Sequence, residues 1–297
     1  IVPSILHFTE PGDIVLDGFA GSGMTGVAAQ WCGTAPTSYR HQLEMEWKKA
    51  GMPMPKWGAR RAVLNDLSPA ATFIGANYNI PFDISAFAKA GKKLLNDVED
   101  EIGWMYETLH TDRKTRARIE YTVWSEVLNC ASCAGEIVFT DAALDPETQR
   151  VSDKITCPHC SAEGKKEDMD LQFESFSDPV SGEIAKRPKR VPSIIKYKIG
   201  KTVYSKAPDN NDLEIIRKIS ALETPSEVPA LRLPDCQMTR VGRMRTTHTD
   251  SIRALFLPRA AHALSALWRH TQRINDWRTR LAVLFWVEQA VWGMSVL

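Results

Sequence analysis

The chain has 297 residues, of which 43% are hydrophobic, and its formal net charge is +1. This length suffices for one large or two modest domains with a buried core, and the near-neutral charge excludes recognition of a polyanion through global charge, so any nucleic-acid surface must be local. Six cysteines argue against a disulfide scaffold, and the lack of a secretory signal and of a membrane-spanning apolar run predicts a soluble, cytoplasmic protein.

The first eighty residues alternate between strand and helix patterns. The elements expected there are a turn and strand at 11–17, a helix at 24–31, a loop or insertion at 34–60, a second strand at 61–66, and a helix from Ser68 to about Asn77. Ser68 and Pro69 form a helix-start signal, with serine as the N-cap and proline at the first helical position. This order and spacing predict a parallel sheet with covering helices.

The rest of the chain has a different pattern, with a long amphipathic segment and several short strands. The elements expected are a long amphipathic helix at 82–110, a strand at 119–128, a polar surface loop at about 163–190, a hairpin at 194–205, and helices at 209–221 and 258–276.

A glycine-rich turn, from Asp17 to Gly23, lies between the first strand and the first helix, where open α/β sheets bind ligands. A phosphate-binding P-loop would need a lysine after the last glycine, but methionine follows there. Gly21, Gly23 and Gly26 have the dinucleotide-binding spacing, which is a weak signal alone. A nucleoside that carries an amino acid needs no lysine. Asp66, which ends the second strand, is placed to bind a ribose, although an ordinary tight turn with acidic helix caps is the structural alternative.

The stretch VLDGFAGSGMTGVAA closely resembles the cofactor motif of the S-adenosylmethionine-dependent DNA amino-methyltransferases, Asp-Pro-Phe-x-Gly-Ser-Gly-Thr-Thr. HFTEPGDIVLD and RAVLNDLSPAATFIGANYN are similar to the same family, so the resemblance covers about the first eighty residues. Gly18 stands where proline is common and Met24 where threonine is common, but neither change removes a group that contacts the cofactor. The resemblance implies a cofactor site made of Asp17, Phe19, Ala20, Gly21, Gly23, Thr25 and Asp66. Asp66 would hold the ribose in this site.

Catalysis in this family needs a second motif, Asp/Asn/Ser-Pro-Pro-aromatic, which holds the flipped-out base and its amino group. No such motif occurs in the chain. Either it follows residue 297 in a longer polypeptide, or the protein is a degenerate homologue that binds without reacting. The apolar segment at the C-terminus favours the first explanation. We therefore expect the cofactor-binding half of an enzyme, inactive alone, and assign no catalytic residue.

Two Cys-x-x-Cys pairs predict a metal site with the ligands Cys130, Cys133, Cys157 and Cys160. Four thiolates complete a tetrahedron with no open position, which is typical of structural zinc. An iron–sulfur cluster has the same ligands, but zinc is commoner for paired knuckles. Around this region, YTVWSEV and RALFLPRAAHALSAL show a weaker similarity to large prokaryotic DNA methylases with a zinc-ribbon insertion.

A basic stretch without acids runs from Lys186 to Lys206. On a hairpin, alternate residues share a face, so Lys196, Lys198 and Lys201 are candidates for contact with nucleic-acid phosphates. The alternative is a solvated edge strand that lysines protect from aggregation.

Taken together, the sequence predicts an α/β fold in which a Rossmann-like methyltransferase parallel sheet has helices on both faces and carries an inserted zinc-ribbon β subdomain. The expected domains are the S-adenosylmethionine-binding core at 1–118, the ribbon and basic hairpin at 119–206, and a helical segment at 207–297. The expected function is methylation of an amino group of a DNA base, with adenine favoured over cytosine, and the expected partners are DNA and the remainder of the same polypeptide. The resemblance also implies a prokaryotic cytoplasm and a restriction-modification or phage-defence setting. The alternatives are an RNA base methyltransferase, a non-catalytic zinc-ribbon protein that binds nucleic acid, and a dinucleotide-dependent oxidoreductase.

Overall fold

The structure, a computed structural model, describes residues 1–145, 148, 150–177 and 184–296. The chain forms two compact units. Unit 1 comprises Ile1–Gly91 and Ile274–Trp286, and unit 2 comprises Lys92–Arg273 and Val287–Leu297. The domain bounds at residues 118 and 206 that the sequence suggests stay predictions.

The secondary structure combines helices of very different lengths with mostly short strands. The helices are α1 Val2–Phe8, α2 Met24–Thr34, α3 Thr37–Lys49, α4 Pro69–Asn79, α5 Ile84–Ile102, α6 Phe139–Ala143, α7 Asn210–Ser220, α8 Gln237–Arg240, α9 Gly242–Thr246, α10 Pro258–Gln272 and α11 Trp277–Met294. The strands are β1 Ile14–Asp17, β2 Arg61–Leu64, β3 Glu107–Leu109, β4 Arg116–Asn129, β5 Glu136–Val138, β6 Ile155–Thr156, β7 Glu163–Gly164, β8 Asp170–Leu171, β9 Phe173–Ser177, β10 Ile184–Pro188, β11 Arg190–Ile199 and β12 Thr202–Lys206.

In unit 1, β1 and β2 pair in parallel, with Leu16 opposite Val63. One face of this pair packs on a core whose buried members are Val2, Ile5, Leu6, Ala28, Ala29, Cys32, Leu43 and Trp47. On the other face, Ile14, Leu16 and Val63 are 62%, 73% and 51% exposed. The helices of the described residues therefore cover one face of the two strands.

The mixed α/β class is confirmed, but the expectation of a Rossmann-like parallel sheet with helices on both faces is not met by the described residues. β1 and β2 are the parallel pair, and the other paired strands are antiparallel. β1 and β2 alternate between exposed and half-buried residues, and β4 differs from them in having fully buried positions. Much of β4 alternates between buried and more exposed residues, as is typical of an antiparallel sheet.

Helix α3 corrects the expectation of a loop or insertion at residues 34–60. Tyr39, Leu43 and Trp47 recur every four residues, which places them on one face of a helix. Leu43 and Trp47 are buried in the unit 1 core, and Tyr39 packs against it. Pro36 and Pro53, which suggested a loop, lie outside the helix and mark its flanks.

Helix α4 begins as the sequence predicts. Ser68 is its N-cap, and the Ser68 hydroxyl accepts a hydrogen bond from the Ala71 amide at 3.3 Å. The helix ends at Asn79, two residues before Pro81. The loop after it is held by the buried Arg278 of α11, which donates to the carbonyl of Pro81 at 3.0 Å and to Asn77 Oδ1 at 2.9 Å.

In unit 2, the main antiparallel sheet has the strand order β12-β11-β4-β3, with β5 and β8 also paired to β4. The predicted hairpin at 194–205 is present as β11 and β12. The surface loop expected at 163–190 is wrong over much of its length, because β9 and β10 pair there and residues 178–183 lie outside the described residues. Among the helices that the structure describes, none is long and apolar enough to cross a membrane.

Candidate functional site

Two backbone amides of the glycine turn donate hydrogen bonds to the residues that directly follow β2. The Ala20 amide donates to the Asn65 carbonyl at 2.9 Å, and the Gly21 amide donates to Asp66 Oδ2 at 2.8 Å. Gly21 has a φ of 52°, in the left-handed region that favours glycine, and no atom lies within 4 Å of a Cβ built on it. Gly21 therefore leaves open space in which a ligand can approach the backbone.

Asp17 holds the glycine turn in shape through two hydrogen bonds that its carboxylate accepts. Its Oδ2 accepts a hydrogen bond from the Thr25 hydroxyl at 2.6 Å, and its Oδ1 accepts one from the Phe19 amide at 3.1 Å. Thr25, at the start of α2, and Asp17, at the end of β1, therefore hold each other's side chains in place. The Phe19 side chain is 85% exposed and contributes an aromatic surface at the turn.

Asp66 is partly exposed, and its carboxyl is ionised at neutral pH. Hydrogen bonds from the Ser68 amide, at 2.9 Å to Oδ1, and from the Gly21 amide hold the pKa of the Asp66 carboxyl below its usual value. Each carboxylate oxygen keeps acceptor capacity beyond these single bonds, so both can still accept hydrogen bonds from vicinal hydroxyls. The geometry fits the ribose-binding role that the sequence suggests.

Gly23 and Gly26 allow α2 to pack closely against α4. A Cβ on Gly23, whose φ is 77°, would lie 2.8 Å from Gly75 Cα, and a Cβ on Gly26 would lie 2.9 Å from Leu64 Cδ1 and also overlap Asn79. These distances are too short for a side chain. Two of the three glycines in the dinucleotide-like spacing are therefore explained by close packing, which weakens that spacing as evidence for a diphosphate.

A cavity of about 550 Å³ lies beside the turn and continues along β2. This volume is typical of small-molecule sites. Of the seven predicted cofactor residues, Ala20, Gly21 and Asp66 line it, whereas Asp17, Phe19, Gly23 and Thr25 do not. Six polar lining residues were not predicted as part of the site, namely Gln30, Arg60, Arg61, Asn65, Thr72 and Asn79. Asn65 had a recognisable signal, since it precedes Asp66 at the end of the strand; Gln30 and Asn79 meet only through the packing of α2 on α4.

The four predicted metal ligands come together in unit 2. Their sulfur atoms all lie within 4.8 Å of one another, and the Cys130–Cys160 and Cys133–Cys157 separations are both 3.7 Å. A tetrahedron with metal–sulfur bonds of about 2.3 Å has sulfur–sulfur edges of about 3.8 Å. The arrangement of the thiols thus matches a tetrahedral four-cysteine zinc site and is far too wide for disulfides.

The two cysteine pairs are built alike, each in the turn of an antiparallel hairpin. In the first, between β4 and β5, the Ala134 amide donates to the Cys130 carbonyl at 2.8 Å, and in the second, between β6 and β7, the Ser161 amide donates to the Cys157 carbonyl at 3.0 Å. Ala134 and Ser161 occupy equivalent places after the second cysteine, and both have a φ of 58°. Leu128, Ile137 and Ile155 are buried in the small core that the hairpins share. This repeat has the geometry expected of two knuckles, and the metal that they would hold stays a prediction.

Amide-to-sulfur hydrogen bonds favour the thiolate at Cys130, whereas the pKa of Cys133 is raised to about 12 and that of Cys160 is also raised, because the thiols around them compete for the same negative charge. The amides of Cys133 and Ser132 lower the pKa of Cys130 to about 6. The neighbouring His159 uses its Nε2 to bond the carbonyl of Glu136 at 2.9 Å, so this histidine is engaged outside the sulfur tetrahedron. Cys32 is buried in the unit 1 core, whereas Cys236 is exposed.

The three lysines proposed for nucleic-acid contact lie on the β11–β12 hairpin. Lys196 is opposite Tyr121 of β4, Lys198 is opposite Arg118, and Lys201 is in the connecting turn. Lys198 is 3.8 Å from Glu120, and both side chains are largely exposed. The structure thus keeps the lysines together on one hairpin, and their role stays a prediction.

Residues 1–79 match the family model N6_N4_Mtase, which describes a DNA methylase. No curated protein and no solved structure matches the chain. The predicted relation to the DNA amino-methyltransferases is therefore confirmed, and it is carried by the segment that contains the glycine turn and Asp66.

Proposed function

We propose that the protein is the S-adenosylmethionine-binding half of a DNA methyltransferase, because its first 79 residues match a DNA methylase family. The reaction would place a methyl group on an exocyclic amino group, with adenine favoured over cytosine. The observation that carries the proposal is the junction of Gly21 with Asp66, because it joins an open glycine backbone to an ionised carboxylate beside a ligand-sized cavity.

In this proposal, the cofactor supplies an activated methyl group on its sulfonium. Asp66 accepts hydrogen bonds from the ribose hydroxyls, and the open backbone at Gly21 permits close approach of the amino-acid end. Asp17 and Thr25 keep the turn in shape, so their contribution is to position other groups. Phe19 offers its exposed ring to the cofactor, and Ala20 and Gly23 complete the turn.

The methyl acceptor requires groups that the chain does not carry, since the Pro-Pro-aromatic motif is absent from it. The exposed apolar face of β1 and β2 supports this division, because parallel strands are normally covered on both faces. We propose that further polypeptide of the same protein covers Ile14, Leu16 and Val63, extends the sheet in the Rossmann-like manner, and brings the catalytic motif. The chain alone would then bind cofactor without transferring the methyl group.

The four-cysteine cluster is proposed to hold zinc in a structural role. Four thiolates leave no coordination position for a substrate, and the hairpins around them have only a small core of their own. Zinc would therefore hold the two knuckles together, leaving DNA contact to other surfaces such as Lys196, Lys198 and Lys201. A prokaryotic cytoplasm and a restriction-modification setting are part of the proposal and are supported only by the resemblance to the DNA methylase family.

Calorimetric titration of the purified chain with S-adenosylmethionine tests the proposal. We expect saturable binding that Asp66→Ala weakens by about 100-fold, because two charge-assisted hydrogen bonds are lost. Gly21→Val should abolish binding by filling the approach to the backbone. Asp13→Ala is the matched control: Asp13 also accepts an amide hydrogen bond, from Glu10 at 2.8 Å in a turn of unit 1, but does not line the cavity.

A folded, zinc-loaded chain that binds no S-adenosylmethionine would refute the proposal. If that chain still bound nucleic acid, the alternative of a non-catalytic zinc-ribbon protein would replace it. Equal loss of affinity in Asp13→Ala and Asp66→Ala would also contradict the assigned ribose role.

A further inference from the structure

Unit 2 contains a second cavity, of about 710 Å³, which the proposed function does not use. Its walls come from β4, from the first turn of α10, and from the end of α11, all within unit 2. None of the three hairpin lysines lines it. Its size falls within the range of small-molecule and nucleotide sites.

The charged lining of the cavity has an excess of cations. It consists of four cationic side chains and two carboxylates, namely Lys166, Arg190, Arg243, Arg259, Glu120 and Glu126. Glu126 is 2.9 Å from both Lys166 Nζ and Arg243 Nη2, so its charge is already shared between two partners. The lining is therefore positive even after its ion pairs are counted.

Arg259 is the cation with unused hydrogen-bonding capacity. Its Nη1 donates to the Thr122 hydroxyl at 3.1 Å, but its Nε is buried and has no hydrogen-bond partner among the described residues. The carboxylate of Asp212 acts electrostatically on Arg259, but it already forms an ion pair with Lys206 at 2.8 Å. Protein atoms enclose this Nε, so a ligand in the cavity would meet Arg259 at Nη2, which has no hydrogen-bond partner among the described residues.

The start of α10 adds to the positive field at Arg259. The N-cap, Leu257, makes no side-chain capping hydrogen bond, and the first turn contains no acid. Instead, Arg259 itself occupies that turn, where the helix dipole already favours an anion over a cation. A bound anion would therefore compensate both the guanidinium charge and the uncapped helix end.

The same cavity also contains aromatic side chains, against which a planar ring can stack. Trp124 and Tyr121 of β4 line it, together with Tyr106 and Phe139. Lys166 Nζ lies 4.4 Å from the centre of the Phe139 ring, which places cation and ring side by side. Aromatic rings beside cations are the combination that binds nucleobases and their phosphates.

We propose that this cavity binds a nucleotide, with its phosphate on Arg259 and the first turn of α10 and its base against the aromatic side chains. The nucleotide comes either from a strand of the substrate DNA or from the pool of free nucleotides. In the first case, the inference rests on the proposed function and gives it a DNA contact within unit 2. In the second case, the site is a separate binding activity.

The test uses the full chain with two probes, 2′-deoxyadenosine 5′-monophosphate and a ten-nucleotide single-stranded DNA, each measured by calorimetry. Arg259→Gln should weaken binding by about tenfold or more, because a charge-assisted contact is lost. Arg217→Gln removes the same charge from the exposed surface of α7 and should leave affinity unchanged. Arg259→Lys, which keeps the charge but not the planar fork, should bind with intermediate affinity.

Folding and binding are separated by the melting temperature without ligand. Arg259→Gln removes the hydrogen bond to Thr122 and the contact with the Tyr106 ring as well as the buried donor, so it should change that temperature only slightly, whereas the stabilisation that the probe gives the wild type should disappear. Should the substitution unfold the chain, Arg259→Lys and Trp124→Phe supply the same comparison through a partial loss of affinity.

The two sites are distinguished by reciprocal variants. Asp66→Ala should keep nucleotide binding, and Arg259→Gln should keep S-adenosylmethionine binding, so failure of either proposal shows separately. Binding of DNA alone identifies the substrate strand as the source, and binding of the mononucleotide identifies the free pool. The inference is overturned if neither probe binds, if Arg259→Gln binds as well as the wild type, or if Asp66→Ala abolishes nucleotide binding.

Discussion

The glycine turn and the cysteine knuckles show two ways in which a short motif becomes a site. Each cysteine pair lies in its own hairpin turn, and the four sulfur atoms already lie within 4.8 Å of one another, so the ligands of the metal site are assembled. The glycine turn instead stands on two parallel strands with an exposed apolar face. Local hydrogen bonds suffice to build a metal cage, whereas a cofactor site at the end of a sheet depends on how much of the sheet is present.

The largest effect is expected at the knuckles. Cys157→Ser should remove bound zinc, because three thiolates and a hydroxyl hold the metal far more weakly, and it should cost several kcal/mol of folding free energy on the order of that seen in zinc-dependent domains. Metal content by mass spectrometry and the thermal unfolding of the chain would measure this. Cys236→Ser, at an exposed cysteine outside the cluster, should retain one zinc per chain. Full zinc content in Cys157→Ser would disprove the assignment of the four cysteines as ligands.

The turn itself offers a smaller and graded test. Gly23→Ala combines a φ of 77° with a Cβ 2.8 Å from Gly75 Cα, so we expect it to cost about 2–4 kcal/mol of unfolding free energy. Gly21→Ala meets open space and should cost only about 1–2 kcal/mol, from its positive φ. Urea unfolding would compare them. A larger loss in Gly21→Ala would show that the turn packs differently.

Neighbouring residues on β1 test the exposed face. Val15 packs against the unit 1 core, whereas Leu16 is 73% exposed. Val15→Thr should therefore lower the free energy of unfolding by about 1–2 kcal/mol, and Leu16→Thr should change it by less than about 0.5 kcal/mol. Denaturant unfolding of the two variants measures this. If Leu16→Thr were the more damaging change, the second face of the sheet would be covered within the chain.

The smallest effect concerns a turn carboxylate in unit 2, for comparison with Asp66. The hydroxyl and amide of Thr115 and the amide of Lys114 lower the pKa of Asp112 from 3.8 to about 2. Because the pKa in the folded state is below that in the unfolded state, the ionised carboxylate stabilises the fold above about pH 4, and this contribution is lost as the pH falls toward 2. Asp112→Asn should thus be slightly less stable at pH 7 and indistinguishable from the wild type near pH 2. A difference that persists at pH 2 would mean that charge is not the cause.

The parts of the molecule that the sequence predicted well are those set by neighbouring residues. Ser68 and Pro69 start α4 as expected because a cap needs only the next few amides, and the cysteine spacing is satisfied by two hairpin turns. Helix α3 was missed, although Tyr39, Leu43 and Trp47 recur at helical spacing; the flanking prolines outweighed that pattern.

The parts that escaped prediction depend on contacts between distant segments. β4 pairs with β11, some seventy residues away in sequence, and no local pattern specifies that partner. The lining residues Gln30 and Asn79 reach the first cavity only because α2 packs on α4, and Arg259 meets Thr122 across 137 residues. The candidate cofactor residues were identified by their motif, while the walls around them required the fold.

The central claim, that the glycine turn and Asp66 hold S-adenosylmethionine, is tested most directly by ultraviolet crosslinking of methyl-tritiated S-adenosylmethionine to the full chain, followed by tryptic peptide mapping. The account predicts label in the peptides 1–40 and 62–89, which contain the turn and Asp66, and competition by unlabelled cofactor. Saturable label confined to peptides of unit 2, or no competable label in a folded chain, would contradict it.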